Sequence, residues 1–168
     1  MCEYVALTEK EKSPISLYSK IYFSISDDFE SENHETINGE NKVIKTFNKY
    51  NKTPIFVRDR GYDANEFFKK DIKEDNKFVT RLRGNRHLLF KGNRKLVGKI
   101  AESRKGKIST KLIYKGENKE CSISYTRVEL PVCDWKEITL VTIHNLSEEE
   151  TMMLLTITLT YVSILVEK

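Results

Sequence analysis

Ile55-Phe-Val-Arg-Asp-Arg-Gly-Tyr-Asp63 is the stretch on which the fold turns. With Pro54 ahead of it, Ile55-Phe56-Val57 is a short continuous apolar run, the pattern of a strand covered on both faces in a mixed or parallel sheet. Arg58 to Tyr62 follow as a tight turn, and Asp63 and Glu66 stand at capping-box spacing before Phe67, Phe68 and Ile72. The unit reads as strand, turn, helix, with Asp59 at the carboxyl end of the strand, where open α/β sheets place their chemistry. An aspartate there has two readings, a turn former or helix cap, or a carboxylate that acts on a ligand.

Upstream of this unit, Glu3 to Leu7 and Ile15 to Ile25 read as a strand hairpin joined by a polar turn through residues 8–13 and Pro14. Both are expected to lie beside the strand that ends at Asp59. A helix is predicted from Ser31 to about Tyr50 by the spacing of Ile37, Ile44 and Phe47, although Gly39 costs a helix interior about 1 kcal/mol. Downstream, Lys77 to Arg83 alternates, with Val79, Arg81 and Arg83 sharing a face. From Arg86 the pattern becomes all-β. Arg86 to Phe90, Ile108 to Tyr114, Glu120 to Val128 and Ile138 to His144 are predicted strands, with a hairpin loop at Lys115 to Asn118 and a short helical stretch at Lys95 to Ser103.

The chain of 168 residues has the length of one ordinary core, and a single domain is the expectation. A mean hydropathy of −0.52 with 32% charged residues describes a folded chain with a charged surface. The net charge of +4 hides an asymmetry. Residues 77–119 hold fourteen Lys and Arg against Glu102 and Glu117, while the remainder of the chain is net acidic. Such a block is either a solvated face or the footprint of a polyanion, since each cation near a phosphate releases condensed counterions.

Cys2, Cys121 and Cys133 form no CxxC pair, which argues against a disulfide framework or a zinc ribbon and fits a reducing cytoplasm. No secretory signal is read at the N-terminus. The uncharged run Thr151 to Val166 is shorter than a membrane span and rich in β-branched residues, so a strand is predicted and no membrane association. His34, His87 and His144 lack ligand spacing and read as surface or satisfied core residues, and Trp135 and Phe56 as packing.

The segment 55–63 resembles the surroundings of the second catalytic aspartate in DDE transposases of the insertion-sequence-four family. Cys-Glu-Tyr-Val-Ala-Leu at 2–7, Pro-Ile-Ser-Leu-Tyr-Ser-Lys-Ile-Tyr at 14–22 and Ser-Glu-Asn at 31–33 are similar to the family's approach to that motif, in the same order. After it come Phe-Val-Thr-Arg-Leu-Arg-Gly-Asn-Arg at 78–86, Leu-Leu-Phe-Lys-Gly at 88–92 and Met-Met-Leu-Leu-Thr at 152–156, so the likeness runs from residue 2 to about residue 156.

What the resemblance implies is an α/β fold: a partial ribonuclease-H-like core over residues 1–85, a mixed sheet with flanking helices, then a β-rich insertion over 86–144, and a returning core strand with a divergent tail over 145–168. The implied activity is DNA cleavage and strand transfer in transposition, by phosphoryl transfer at divalent ions held by three carboxylates. Asp59 matches the second carboxylate and would ligate Mg2+. Arg81, Arg83 and Arg86 match positions near the DNA backbone, and Lys91, Arg94 and Lys95 continue that basic stretch.

The family's first aspartate would lie upstream of Cys2, and its glutamate in a helix with tyrosine, arginine, glutamate and lysine at fixed spacing. Tyr161 has Ile164 and Lys168 at those offsets, so the role is not carried to Glu167. The expectation is therefore a truncated transposase, inactive by itself, in the cytoplasm of a bacterium near the nucleoid. Its partners would be transposon-end DNA and full-length transposase. The alternatives are a non-catalytic DNA-binding regulator of transposition and an autonomous nuclease.

Overall fold

The computed structural model describes residues 1–7, 14–27, 29–104, 106, 108–134, 136–146 and 151–157. The turn at 8–13, Trp135 and the tail from residue 158, with Tyr161 and Glu167, lie outside them. The chain forms two compact units, Met1–Pro54 and Ile55–Lys168. Residues 50–53, just before the boundary, are exposed.

In the first unit, strands β1 (Cys2–Ala6) and β2 (Ile15–Lys20) pair antiparallel, as the hairpin reading expected. Helix α1 (Glu32–Asn48) starts where Ser31 Oγ accepts the backbone N–H of His34 at 3.1 Å. It lies on the hairpin, and Tyr4 donates its hydroxyl proton to the Thr36 carbonyl at 2.9 Å. Gly39 sits against the rings of Tyr4 and Tyr18, where an added Cβ would come within 2.7 Å and 2.8 Å of ring carbons. The glycine that weakens the helix by propensity is what lets it approach the sheet.

The second unit carries strands β3 (Ile55–Arg58), β4 (Lys77–Arg81), β5 (His87–Phe90), β6 (Asn93–Leu96), β7 (Ile108–Tyr114), β8 (Glu117–Leu130), β9 (Lys136–His144) and β10 (Met152–Thr156). Helices α2 (Asn65–Glu74) and α3 (Val97–Glu102) accompany them. The strands form one sheet in the order β3-β4-β10-β9-β8-β5-β6, with β7 on β8. Among the described residues only β3 and β4 are parallel, with Phe56 opposite Phe78 and Val57 opposite Val79, and α2 is the crossover between them. The fold is therefore α/β with a mixed sheet and few helices, as expected. The strands of 86–144 continue the sheet to which β4 and β10 belong.

Three local expectations are corrected. The strands β1 and β2 form a two-stranded sheet of their own, and among the described residues neither pairs with β3. β3 is not covered on both faces. Its neighbour in the sheet is β4 alone among the described residues, and Val57 is 63% exposed while Phe56 is buried. Asp63 does not cap α2. Ala64 occupies that position without a side-chain cap, because the Asp63 carboxylate is turned toward Arg83 and Arg86.

The core on the α2 side gathers Phe67, Phe68 and Phe78, each worth roughly 2 to 3 kcal/mol when fully buried. Another cluster joins Val79, Leu112, Cys121, Val141, Ile143 and Leu154. β5 and β6 form a hairpin unforeseen in the sequence, closed by Lys91 and Gly92 with φ of 52° and 75°. Lys115 and Gly116 close the β7–β8 hairpin the same way, with φ of 52° and 81°. Both turns need left-handed backbone at two successive residues, the two-residue connection whose twist suits antiparallel strands. Among the described residues no helix is long and apolar enough to cross a membrane.

Candidate nucleic-acid interface

The carboxyl ends of β3 and β4 lie side by side because the strands are parallel, and Asp59 and Arg81 each stand one residue past a paired position. The Asp59 Oδ1 accepts the backbone N–H of Arg60 at 2.6 Å, capping the single 3-10 turn Arg60–Tyr62. The cap reading of Asp59 is therefore correct as far as it goes. Its side chain is nonetheless 70% exposed, and Arg81 Nη1 lies 4.0 Å from the same oxygen.

Around the turn, Asp63 ties two arginines to this end of the sheet. Its Oδ2 accepts the Arg83 backbone N–H at 2.7 Å, and its Oδ1 accepts Arg86 Nε. Arg86 also donates to Asn65 Oδ1 at 2.9 Å and to the Asp63 carbonyl at 3.1 Å, and its guanidinium lies 4.9 Å from the centre of the Phe68 ring. A guanidinium so engaged is a scaffold, with its charge set against a carboxylate only 2% exposed. The Arg83 Nε donates to the Arg60 carbonyl at 3.0 Å, and the residue is exposed.

Arg83, Arg86 and Arg94 line an open cleft of about 270 Å³, with Asn65, Asn85 and His87 among the remaining walls. Arg94 reaches it through the β5–β6 hairpin. Its register partner is Leu89, two residues from His87, so Arg94 and His87 stand on one face of the hairpin. Lys95 pairs with Leu88 on the opposite face. There the ammonium groups of Lys95 and Lys91 lie 5.9 Å and 5.5 Å from the centre of the Phe90 ring. The six basic residues singled out in the sequence thus divide three ways. Arg81 stands beside Asp59, Arg83 and Arg94 enter the cleft around the anchored Arg86, and Lys91 and Lys95 stand apart at Phe90.

Sequence reading missed Asp63 as the anchor and Asn65, Asn85 and His87 as cleft residues. The Lys91-Gly92 pair was the available signal, since a tight turn there folds Arg94 back beside His87. His144 behaves as a satisfied core histidine, with ring nitrogens 2.9 Å from the Arg104 carbonyl oxygen and 3.2 Å from Thr151 Oγ1.

Among the described residues the charged side chain brought beside Asp59 is Arg81. A magnesium ion needs several oxygen ligands, and the neighbouring side chain here is a cation. Among the described residues no group of three or more His, Cys, Asp or Glu is gathered to hold a metal. The three cysteines are free thiols, and burial pushes the pKa of each up, away from the thiolate. No protein-family model matches the chain, and no curated protein matches it.

Proposed function

We propose that the chain is part of a DDE transposase of the insertion-sequence-four kind, and that these residues bind the DNA backbone without cutting it. One observation carries this reading. The parallel ends of β3 and β4 bring Asp59 together with Arg81, and Asp63 brings Arg83 to the same end, so the motif residues of two separate segments converge. The element order hairpin, α1, β3, α2, β4 also suits a partial ribonuclease-H-like core. The absence of a matching family model leaves the reading resting on these motifs and their geometry.

The chemistry follows from charge. Arg81 and Arg83 offer planar donors to phosphate oxygens, and Asp59, held in its turn by the Arg60 N–H, stands beside Arg81. Within the family, cleavage and strand transfer draw on divalent ions held by several carboxylates, whereas the charged neighbour of Asp59 among the described residues is a cation. A non-catalytic regulator, competing for transposon ends or associating with full-length transposase, uses the same surface. It is favoured where Asp59 serves only as the turn cap.

The test is incubation of supercoiled and linear DNA with the chain and magnesium or manganese. No nicking and no strand transfer are expected, alongside binding to both DNAs. Nicking that disappears in Asp59→Ala would overturn the non-cutting part of the proposal, and failure to bind either DNA would overturn the rest.

A further inference from the structure

The cleft between Arg83, Arg86 and Arg94 is electrostatically unbalanced. Three arginines line it, Arg83 with its Nε donated to the Arg60 carbonyl, together with one carboxylate, Asp63, which is already bonded to Arg86 and to the Arg83 backbone. Among the described residues neither Arg83 nor Arg94 has a carboxylate within ion-pair distance, so two of the three arginines in the lining carry charge that no carboxylate balances. Like charges brought together cost stability unless an anion joins them.

The donors are of the kind that recognise a tetrahedral oxyanion. Arg86 Nη1 donates to Asn65 Oδ1, which leaves the Asn65 amide nitrogen as the end of that side chain able to donate to a ligand. Asn85 and His87 add further polar groups to the lining. The cleft, at about 270 Å³, holds on the order of nine waters by liquid volume. That is room for a phosphate group with part of its hydration, and far too little for a duplex to enter.

We infer that this cleft is a single-phosphate site, in which Arg83 and Arg94 clamp the oxyanion and Arg86, fixed by Asp63, sets their spacing. Where the phosphate belongs to a nucleic-acid strand, the inference rests on the DNA reading above; a free phosphate needs only the cleft. A strand phosphate seated here would give the interface a fixed point at the hairpin, apart from Asp59 and Arg81.

The test is a titration of the isotope-labelled chain with inorganic phosphate, following the arginine Nε–H resonances, in the wild type, Arg94→Gln and the control Lys111→Gln. Saturable shifts at Arg83 and Arg94 are expected. Phosphate affinity should fall about tenfold or more in Arg94→Gln, the scale of one lost charge-assisted bond, and stay unchanged in Lys111→Gln. A labelled DNA duplex then separates the sources. Weaker duplex binding in Arg94→Gln assigns the site to a strand phosphate; equal binding assigns it to free phosphate and leaves the DNA reading to its own test. Absence of arginine shifts with phosphate, or equal shifts with polyglutamate, would overturn the site even if the duplex still binds.

Discussion

Arg58 shows how a residue inside a recognisable motif can serve the core instead of the ligand. It is buried, with Nη1 and Nη2 donating to Asp71 Oδ2 and Oδ1 at 2.6 Å and 3.1 Å, and its guanidinium lies 5.2 Å and 5.4 Å from the Phe56 and Phe67 ring centres. Asp71 is fully buried on α2, so the pair fastens β3 to its crossover helix. Removing one partner strands the other charge in the apolar interior. Asp71→Ala is expected to cost about 3 to 5 kcal/mol in urea unfolding, and Arg58→Met with Asp71→Leu to recover most of it. A loss below about 1 kcal/mol in the single variant would show that water reaches Arg58. Nothing in sequence spacing distinguishes Arg58 from Arg60. Their fates differ because the pleat points one toward α2, while the other opens the exposed turn.

Among the elements, α1 and the two glycine turns define what the sequence made legible. The span of α1 was readable from its apolar spacing and from Ser31, since caps and periodicity are local signals. The reason for Gly39 was not, because it lies in two tyrosine rings contributed by β1 and β2. Gly39→Ala should therefore destabilise the first unit despite the gain in helix propensity of about 1 kcal/mol. The measurement is amide exchange in β1 and α1, which is expected to quicken together. Slower exchange would mean that the rings move aside at little cost. Similarly, β7 and the core of β8 and β9 were legible from alternation, whereas β6 was hidden in the polar run Asn93-Arg-Lys, whose strand character comes from its pairing with β5. The sequence reading set β3 beside the N-terminal hairpin and did not foresee its parallel pairing with β4. The edge position of β3 was invisible, because sheet order is a tertiary property.

Across the whole molecule, the excess of Lys and Arg in residues 77–119 was plain in the sequence, but its division was not. Register and ion pairing decide which charges remain for a partner. Arg86 is held by Asp63, Arg81 stands beside Asp59, Lys91 and Lys95 sit by Phe90, and Arg83 and Arg94 line the cleft. A surface of that kind binds phosphate without reading bases, so its affinity is set by counterion release. The most direct measurement is the salt dependence of binding to one labelled duplex, for the wild type and for Arg81→Ala with Arg83→Ala. The expected result is a steep log-linear fall in affinity for the wild type, with a slope flattened by about two counterions in the double variant. An unaltered slope would contradict the account, leaving those arginines on a solvated face.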